Sequence, residues 1–438
     1  MSSQSTIYAL STAPGKSGVA VIRISGPRAL SVVTTLGAKL SKPRRASLQT
    51  LRDPVSRETL DRALVLWFAA PASFTGEDIV ELHVHGGRAV IAGIMTALAG
   101  IDGLRMAEAG EFARRAFDNG KIDLTQAEGL GDLIDAETEA QRAQALRQSS
   151  GALRSLFDGW REQIIRAMVA VEAAIDFSEE ADIPEAAFAA AHPVVMRLTS
   201  DIGRHLADGR RGEILRDGLR VVIAGPPNAG KSSLLNALAG RDAAIVSEEA
   251  GTTRDVIEVR LNLGGYPVVV ADTAGIRDVG DKVEREGIRR AIAAATEADL
   301  VIWLSDAATP SPPPKEITAF GDKVVEANSK IDLAPAQYPL GLSVLSGEGI
   351  ESLVERLAEE ARRLAGGAED AIITRARHRE ALQAAHTALM AFLDGDTGAV
   401  EMRAEDLRVA AFALGRLTGR VDVEHVLGEI FSQFCIGK

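Results

Sequence analysis

The segment Gly225-Pro-Pro-Asn-Ala-Gly-Lys-Ser232 narrows the possible folds more than any other stretch of this chain. It follows directly on the apolar run 219–224 (Leu-Arg-Val-Val-Ile-Ala) and opens a helical pattern near Ser232. Glycine, four variable residues and then Gly-Lys-Ser is the spacing of a phosphate-binding loop, in which main-chain N–H groups and a helix N-terminus wrap the phosphates. In such a loop Lys231 reaches the terminal phosphates and Ser232 the magnesium ion. The alternative, a glycine-rich turn, needs neither the strand in front nor the helix behind, and both are written here.

A loop of this kind sits at the edge of a parallel sheet, and the surrounding sequence supplies one. Apolar runs at 219–224, 268–271, 300–304 and 323–326 alternate with helical stretches, the pattern of strands covered on both faces. This predicts a compact α/β domain over 217–370, with the proline-rich segment 310–314 as a surface loop. Asp272-Thr-Ala-Gly275 ends the second run, which places a carboxylate at the sheet's C-terminal edge beside a metal-bound water, with Gly275 close to the γ-phosphate. Between the two motifs lies Gly251-Thr-Thr-Arg-Asp255, whose hydroxyls complete a magnesium shell only when the γ-phosphate is present, as a switch segment requires.

The base is read by a carboxylate that accepts hydrogens from guanine N1 and N2, and Asp332 in Asn328-Ser-Lys-Ile-Asp332 is placed for it. Aligning Lys330 and Asp332 with the usual Asn-Lys-x-Asp puts Ser329 in the asparagine place and leaves Asn328 one residue early. Ser343-Val-Leu-Ser-Gly347 is similar to the Ser-Ala loop near the guanine, with Val344 for alanine. Ras-type enzymes place a glutamine after Asp-x-x-Gly to orient water, whereas Ile276 stands here and cannot. The acidic stretch 281–286 is the nearest replacement, although by composition alone it reads sooner as a solvated helix start. Arg254 and Arg277 are candidate arginine fingers or plain solvent-facing residues.

Flanking this domain, residues 1–121 mix strand patterns at 19–24, 64–68 and 78–85 with a helix at 88–98, an α+β domain. Over 122–216 strand patterns vanish, and Leu146, Leu153, Phe157, Trp160, Ile164, Met168, Val171 and Ile175 recur at helical spacing, predicting one long amphipathic helix weakened at Gly151 and Gly159. The helical pattern returns over 371–438. An α/β domain is therefore inserted into an all-α one. With 61 acidic against 49 basic residues and a net charge of −12, the chain disfavours non-specific nucleic-acid binding, so any RNA contact is local or made through a partner. Lys42, Arg44 and Arg45 form the densest early basic cluster and read as a solvated loop. Residues 1–15 lack a basic flank followed by an apolar stretch, no run approaches a bilayer span, and the single cysteine, Cys435, suits a reducing compartment; a cytoplasmic protein without membrane contact is expected.

Thr12-Ala-Pro-Gly15 with 21–26, Phe74-Thr-Gly-Glu-Asp78, His85-Gly-Gly87, Gly110-Glu-Phe112, the stretch 119–128, the GTPase motifs and the terminal Phe434-Cys-Ile-Gly-Lys438 together resemble the tRNA modification GTPases of the MnmE (TrmE) family, from end to end. The resemblance implies a homodimer whose N-terminal domain (1–121) binds a 5-formyl- or methylene-tetrahydrofolate donor through Arg23, Glu81, Lys121 and Lys438. It implies a helical domain (122–216 and 371–438) interrupted by a Ras-like GTPase. It further implies a heterotetrameric complex with the flavoprotein MnmG that converts the wobble uridine of certain tRNAs to an aminomethyl or carboxymethylaminomethyl form.

Within the GTPase the resemblance implies a GTP site made by Asn228, Ala229, Gly230, Lys231, Ser232 and Ser233; by Ser247, Glu248, Glu249, Ala250, Gly251, Thr252 and Thr253; by Asp272, Thr273, Ala274 and Gly275; and by Ser329, Lys330, Asp332, Ser343, Val344 and Leu345. Magnesium falls to Ser232 and Thr253. A potassium ion held by Asn228, Ser247, Glu249 and Thr252 supplies the charge that an arginine finger would bring. Glu284 corresponds to the water-positioning acid, with Lys231 and Thr253 beside it in catalysis, and Cys435 is either a nucleophile or a small buried hydrophobe. His83 and His85 share a strand face with Glu81 and could mimic a metal pair, but no further ligand lies near in sequence. The rival reading is a ribosome-assembly switch, which would ordinarily carry a basic RNA-binding module.

Overall fold

The computed structural model describes residues 5–176, 182–207, 210–241, 243–245, 258–272, 292–366, 373–395, 400–421 and 424–437. The chain divides into two compact units, one made of 1–131, 149–159 and 414–438, the other of 132–148 and 160–413.

The first unit is built on a sheet of β1 (Thr6–Leu10), β2 (Ser17–Ser25), β3 (Ser47–Arg52), β4 (Thr59–Phe68), β5 (Ile79–Gly86) and β6 (Leu104–Met106), in the order β3-β4-β5-β2-β1-β6. Strand alternation decides its faces. Ala20, Ile22 and Ile24 of β2 are buried under the helices Ala29–Thr35 and Arg88–Ala99, which add Val32, Val33, Ile94 and Leu98 to the core. Val21 and Arg23 point the other way, in register with His83 and Glu81 of β5. The end of the chain closes this unit. Ile436 bridges to Ala109, and the Ser11 hydroxyl donates to Gly437 O at 2.9 Å. Gly110 has φ +65°, and a Cβ there would lie 2.4 Å from Phe431 O, so both conformation and space demand glycine. Phe431 and Phe434 then pack with Ala113, Leu124 and Ala127.

The second unit contains the α/β domain, with β7 (Leu219–Ala224), β8 (Glu258–Leu263), β9 (Tyr266–Asp272), β10 (Leu300–Asp306), β11 (Val324–Ser329) and β12 (Leu340–Leu342) in the order β12-β11-β10-β7-β9-β8. All neighbours are parallel except the edge pair β8 and β9. The apolar runs are buried on both faces as their composition requires: Val221, Ile223, Val268, Val270, Ile302 and Leu304 face the helices Lys231–Ala239 and Ile350–Ala365, while Val222, Ala224, Val301 and Trp303 face Ala295 and Ala298.

The single long helix expected over 122–216 is not what forms. Among the described residues the segment is cut into Leu124–Ile134, Glu139–Ser149, Ala152–Asp176, Asp182–Ala207 and Arg211–Asp217. Gly151 does break the pattern, with φ +92°, but Gly159 lies inside a helix. Helical periodicity runs through such breaks unchanged, because each piece buries the same kind of stripe. Asp182–Ala207 packs on Ala376–Asp394, where the rings of Phe188 and Phe392 lie 6.1 Å apart and the Arg403 guanidinium sits 4.3 and 4.5 Å from their centroids. No helix among the described residues is long and apolar enough to cross a membrane.

Candidate nucleotide site

The site grows from the end of β7. Gly225 turns the chain with φ +153° so close to β10 that a Cβ would sit 2.0 Å from Leu304 O. Asn228, with φ +63°, and Gly230, with φ +86°, carry the loop through left-handed backbone to the N-terminus of the helix Lys231–Ala239. Asn228, Ser232 and Ser233 are exposed, whereas Ala229 is buried and anchors the loop.

Inside this curl Lys231 is only 8% exposed, and its Nζ donates to the carbonyls of Gly225 and Pro226, each at 2.9 Å. Burial pushes its ammonium below the ordinary lysine range, and the nearby Asp272 carboxylate offsets only part of that. A buried cation whose hydrogen bonds go to two neutral carbonyls, with a carboxylate nearby that offsets only part of its burial, suits an anion in the loop. Register places Asp272 beside Ile223 at the end of β7, and there its Oδ2 accepts the Ser232 hydroxyl at 2.5 Å. A hydroxyl and a buried carboxylate side by side at the loop's mouth are the oxygen donors a magnesium ion takes, directly or through water.

The residues expected from sequence to read the base converge from three segments. Ser343, fully buried, donates its hydroxyl to Asp332 Oδ1 at 2.6 Å, which aims the otherwise exposed Asp332 side chain. Lys330, with φ +57°, is tied by Nζ to Asp306 Oδ2 at 2.7 Å. That hydrogen bond, helped by the Ala308 amide, holds the Asp306 carboxyl below its ordinary value. Asp306 was not singled out from sequence, although it ends β10 as Asp272 ends β9. Ser329, 5% exposed, faces the phosphate loop: a Cβ on Gly230 would lie 3.9 Å from Ser329 Cβ. Asn328, one step along the strand, has a fully buried side chain whose Oδ1 accepts the Gln337 and Tyr338 N–H groups at 2.7 and 2.8 Å. Val344 and Leu345 are exposed at the loop's tip.

Ser247, Glu248, Glu249, Ala250, Gly251, Thr252, Thr253, Arg254, Thr273, Ala274, Gly275, Ile276, Arg277, Glu284 and Lys438 lie outside the described residues.

In the first unit, Arg23 donates through Nε and Nη2 to Glu81 Oε1 at 3.1 and 3.0 Å, and Glu81 Oε2 lies 3.1 Å from His83 Nε2. The guanidinium is 6.0 and 5.7 Å from the ring centroids of Phe74 and Phe112. A cation, a carboxylate and an imidazole among aromatic rings suit a flat, anionic heterocyclic ligand. His85 does not join this group; its Nδ1 is 2.8 Å from Asp61 Oδ1. Lys121 is exposed, its side chain running past Gly76, and Cys435 is exposed as well.

Comparison with known proteins bears on both units. Residues 6–121 match the family model described as "GTP-binding protein TrmE N-terminus", and residues 124–435 match "MnmE helical domain". A protein of Parvibaculum lavamentivorans named tRNA modification GTPase MnmE is 54% identical over 99% of this chain and 100% of its own length. One of the same name from Rhodopseudomonas palustris is 50% identical over 100% of this chain and 99% of its own.

Proposed function

The chain belongs to the MnmE family of tRNA modification GTPases, a family of GTP hydrolases, and from that membership we propose that it is a potassium-activated GTPase whose nucleotide cycle drives a wobble-uridine modification of tRNA together with a flavoprotein partner, MnmG. The observation that carries the reading is the convergence of Lys231, Ser232 and Asp272 at the mouth of the loop with Ser329, Asp332 and Ser343 on the base side.

In this reading the loop amides and Lys231 hold the β- and γ-phosphates, each charge-assisted bond contributing about 1.5–3 kcal/mol. Magnesium, when bound, neutralises phosphate charge, and Ser232 and Asp272 hold it. Asn228 and the carbonyls of Ser247 and Glu249, with Thr252, hold potassium, whose charge acts where an arginine finger would. Glu284 positions the attacking water, with Thr253 closing the magnesium shell. Arg23 and Glu81, with Lys121 and Lys438, bind the one-carbon tetrahydrofolate in a homodimer, and Cys435 lies in the tail beside it. The domains are divided as 1–121, 122–216 with 371–438, and 217–370, and the protein works in the cytoplasm.

The test compares GTP turnover of purified protein in potassium and in sodium buffers, with and without magnesium. Turnover that needs magnesium and rises in potassium is expected; equal rates in the two salts would remove the role of Asn228. Nucleoside mass spectrometry of tRNA from a deletion strain tests the other half: an unmodified wobble uridine is expected, and unchanged nucleosides would refute the modification.

A further inference from the structure

The helix Glu139–Ser149 lies far from the nucleotide motifs in sequence, yet it is built onto the elements that carry them. Its start is a reciprocal cap. Thr138 Oγ1 accepts the Gln141 N–H at 3.3 Å, and Gln141 Oε1 accepts the N–H groups of Glu137 and Thr138 at 3.0 Å each. The other arm of the same carboxamide leaves the helix: Gln141 Nε2 donates to Arg216 O at 2.8 Å, just ahead of β7 and the phosphate loop. Beside it the Ala140 N–H donates to Gly265 O at 3.2 Å, in the turn between β8 and β9, and Glu137 lies 3.8 Å from Arg260 of β8.

The opposite end is anchored where the chain leaves the α/β domain. Gln148, 1% exposed, accepts the Thr374 hydroxyl at 3.3 Å. Ahead of the helix, Asp132 Oδ1 takes both Arg216 Nε at 2.9 Å and Arg375 Nη2 at 2.7 Å, so one oxygen joins the incoming and outgoing segments.

The β8–β9 hairpin connects, in sequence, the two stretches read as nucleotide-sensing, and its ladder is continuous from Glu258 with Ala271 to Leu263 with Tyr266. A paired ribbon moves as a body, so a shift at its β9 end is felt at Gly265. Ala140 must follow that shift or lose its bond, and Gln141 shares a single amide between the helix cap and the end of the helix Arg211–Asp217, just ahead of β7. We propose that Gln141 is a positioning residue that couples the nucleotide state to the helix Glu139–Ser149. The coupling rests on the GTPase reading above and extends it beyond the nucleotide-binding residues.

Amide hydrogen exchange on the full-length protein tests it, comparing GDP with guanosine β,γ-imidotriphosphate in the presence of magnesium. In the unaltered protein, exchange over residues 138–148 should differ between the two nucleotides by about 5-fold or more, the lower range of measured couplings between sites. Gln141→Glu keeps an oxygen to cap the helix but cannot donate to Arg216 O, so the helix stays protected while the difference falls below about 2-fold. Gln141→Ala should lose both cap and coupling, and basal GTP turnover should stay unchanged in both variants. The coupling role is wrong if the unaltered protein shows no difference over 138–148, or if Gln141→Glu retains all of it. Lack of nucleotide protection over 225–233 would instead bring down the GTPase reading, and the coupling with it.

Discussion

Replacing Asn328 by alanine decides which of two adjacent residues reads the base. Strand alternation sends Asn328 and Ser329 to opposite sides of the end of β11, with Ser329 toward Gly230 and Asn328 toward the backbone of Gln337 and Tyr338. The asparagine side chain is fully buried and accepts two short main-chain bonds, while its own amide reaches Ser305 O only at 3.4 Å. Two such bonds contribute about 1 kcal/mol each, and the cavity left by truncation adds about 1–2 kcal/mol, so Asn328→Ala should cost about 3–4 kcal/mol. For a unit of this size that lowers the midpoint of the transition raised by GDP by about 6–16 °C. GDP affinity, measured by isothermal titration below the new midpoint, should fall less than about 10-fold, because the proposed base contacts of Asp332 and Ser343 are left in place. Ser329→Asn, which restores the usual residue on the loop side, should tighten GDP by about 3- to 10-fold, one ordinary hydrogen bond. An Asn328→Ala protein with an unchanged midpoint and no GDP binding would refute this register.

Three further outcomes follow from named contacts. Gly225→Ala forces a Cβ onto Leu304 O in the middle of the sheet and should cost more than about 3 kcal/mol, read as loss of the GDP-stabilised melting transition; wild-type melting would show that the loop lies elsewhere. Asp332→Asn should move preference from guanine to xanthine nucleotides in competition binding, and persistent preference for GTP would mean that another group reads the base. In the first unit, burial raises the Glu111 carboxyl pKa, but hydrogen bonds from Arg105, the Glu108 amide and Arg115 outweigh it, and the net value is lowered. A depressed carboxylate contributes stability that is complete above the unfolded pKa of about 4.3 and disappears as pH falls through the folded value. Glu111→Gln should therefore flatten the acid limb of a urea-midpoint profile between about pH 5 and 3, and an unchanged limb would assign it to other carboxylates.

The phosphate loop was legible because its chemistry is contiguous: strand, turn glycines, lysine and serine must follow one another for main-chain amides to close on a phosphate. The apolar runs of the sheet and the alternation that separates Arg23 from Ile22 and Ile24 were legible for the same reason, since burial on a strand repeats at a fixed short period. Helical periodicity showed that 122–216 is helical, and Gly151 marked one of its breaks, but the break between Leu124–Ile134 and Glu139–Ser149 was not legible, because a stripe of buried residues looks the same on either side of it.

Sequence by itself thus determined which local pieces this protein would build and that a nucleotide loop would stand at a sheet edge. Tertiary structure alone decided the pairings across distance: Ser329 against Gly230, Asp332 under Ser343, Lys330 on Asp306, Ile436 beside Ala109 and Gln141 on the backbone of Arg216. Each of these joins groups whose separation along the chain carries no period or spacing, and a polar group meets such a partner only when the packed apolar faces on either side have fixed its position.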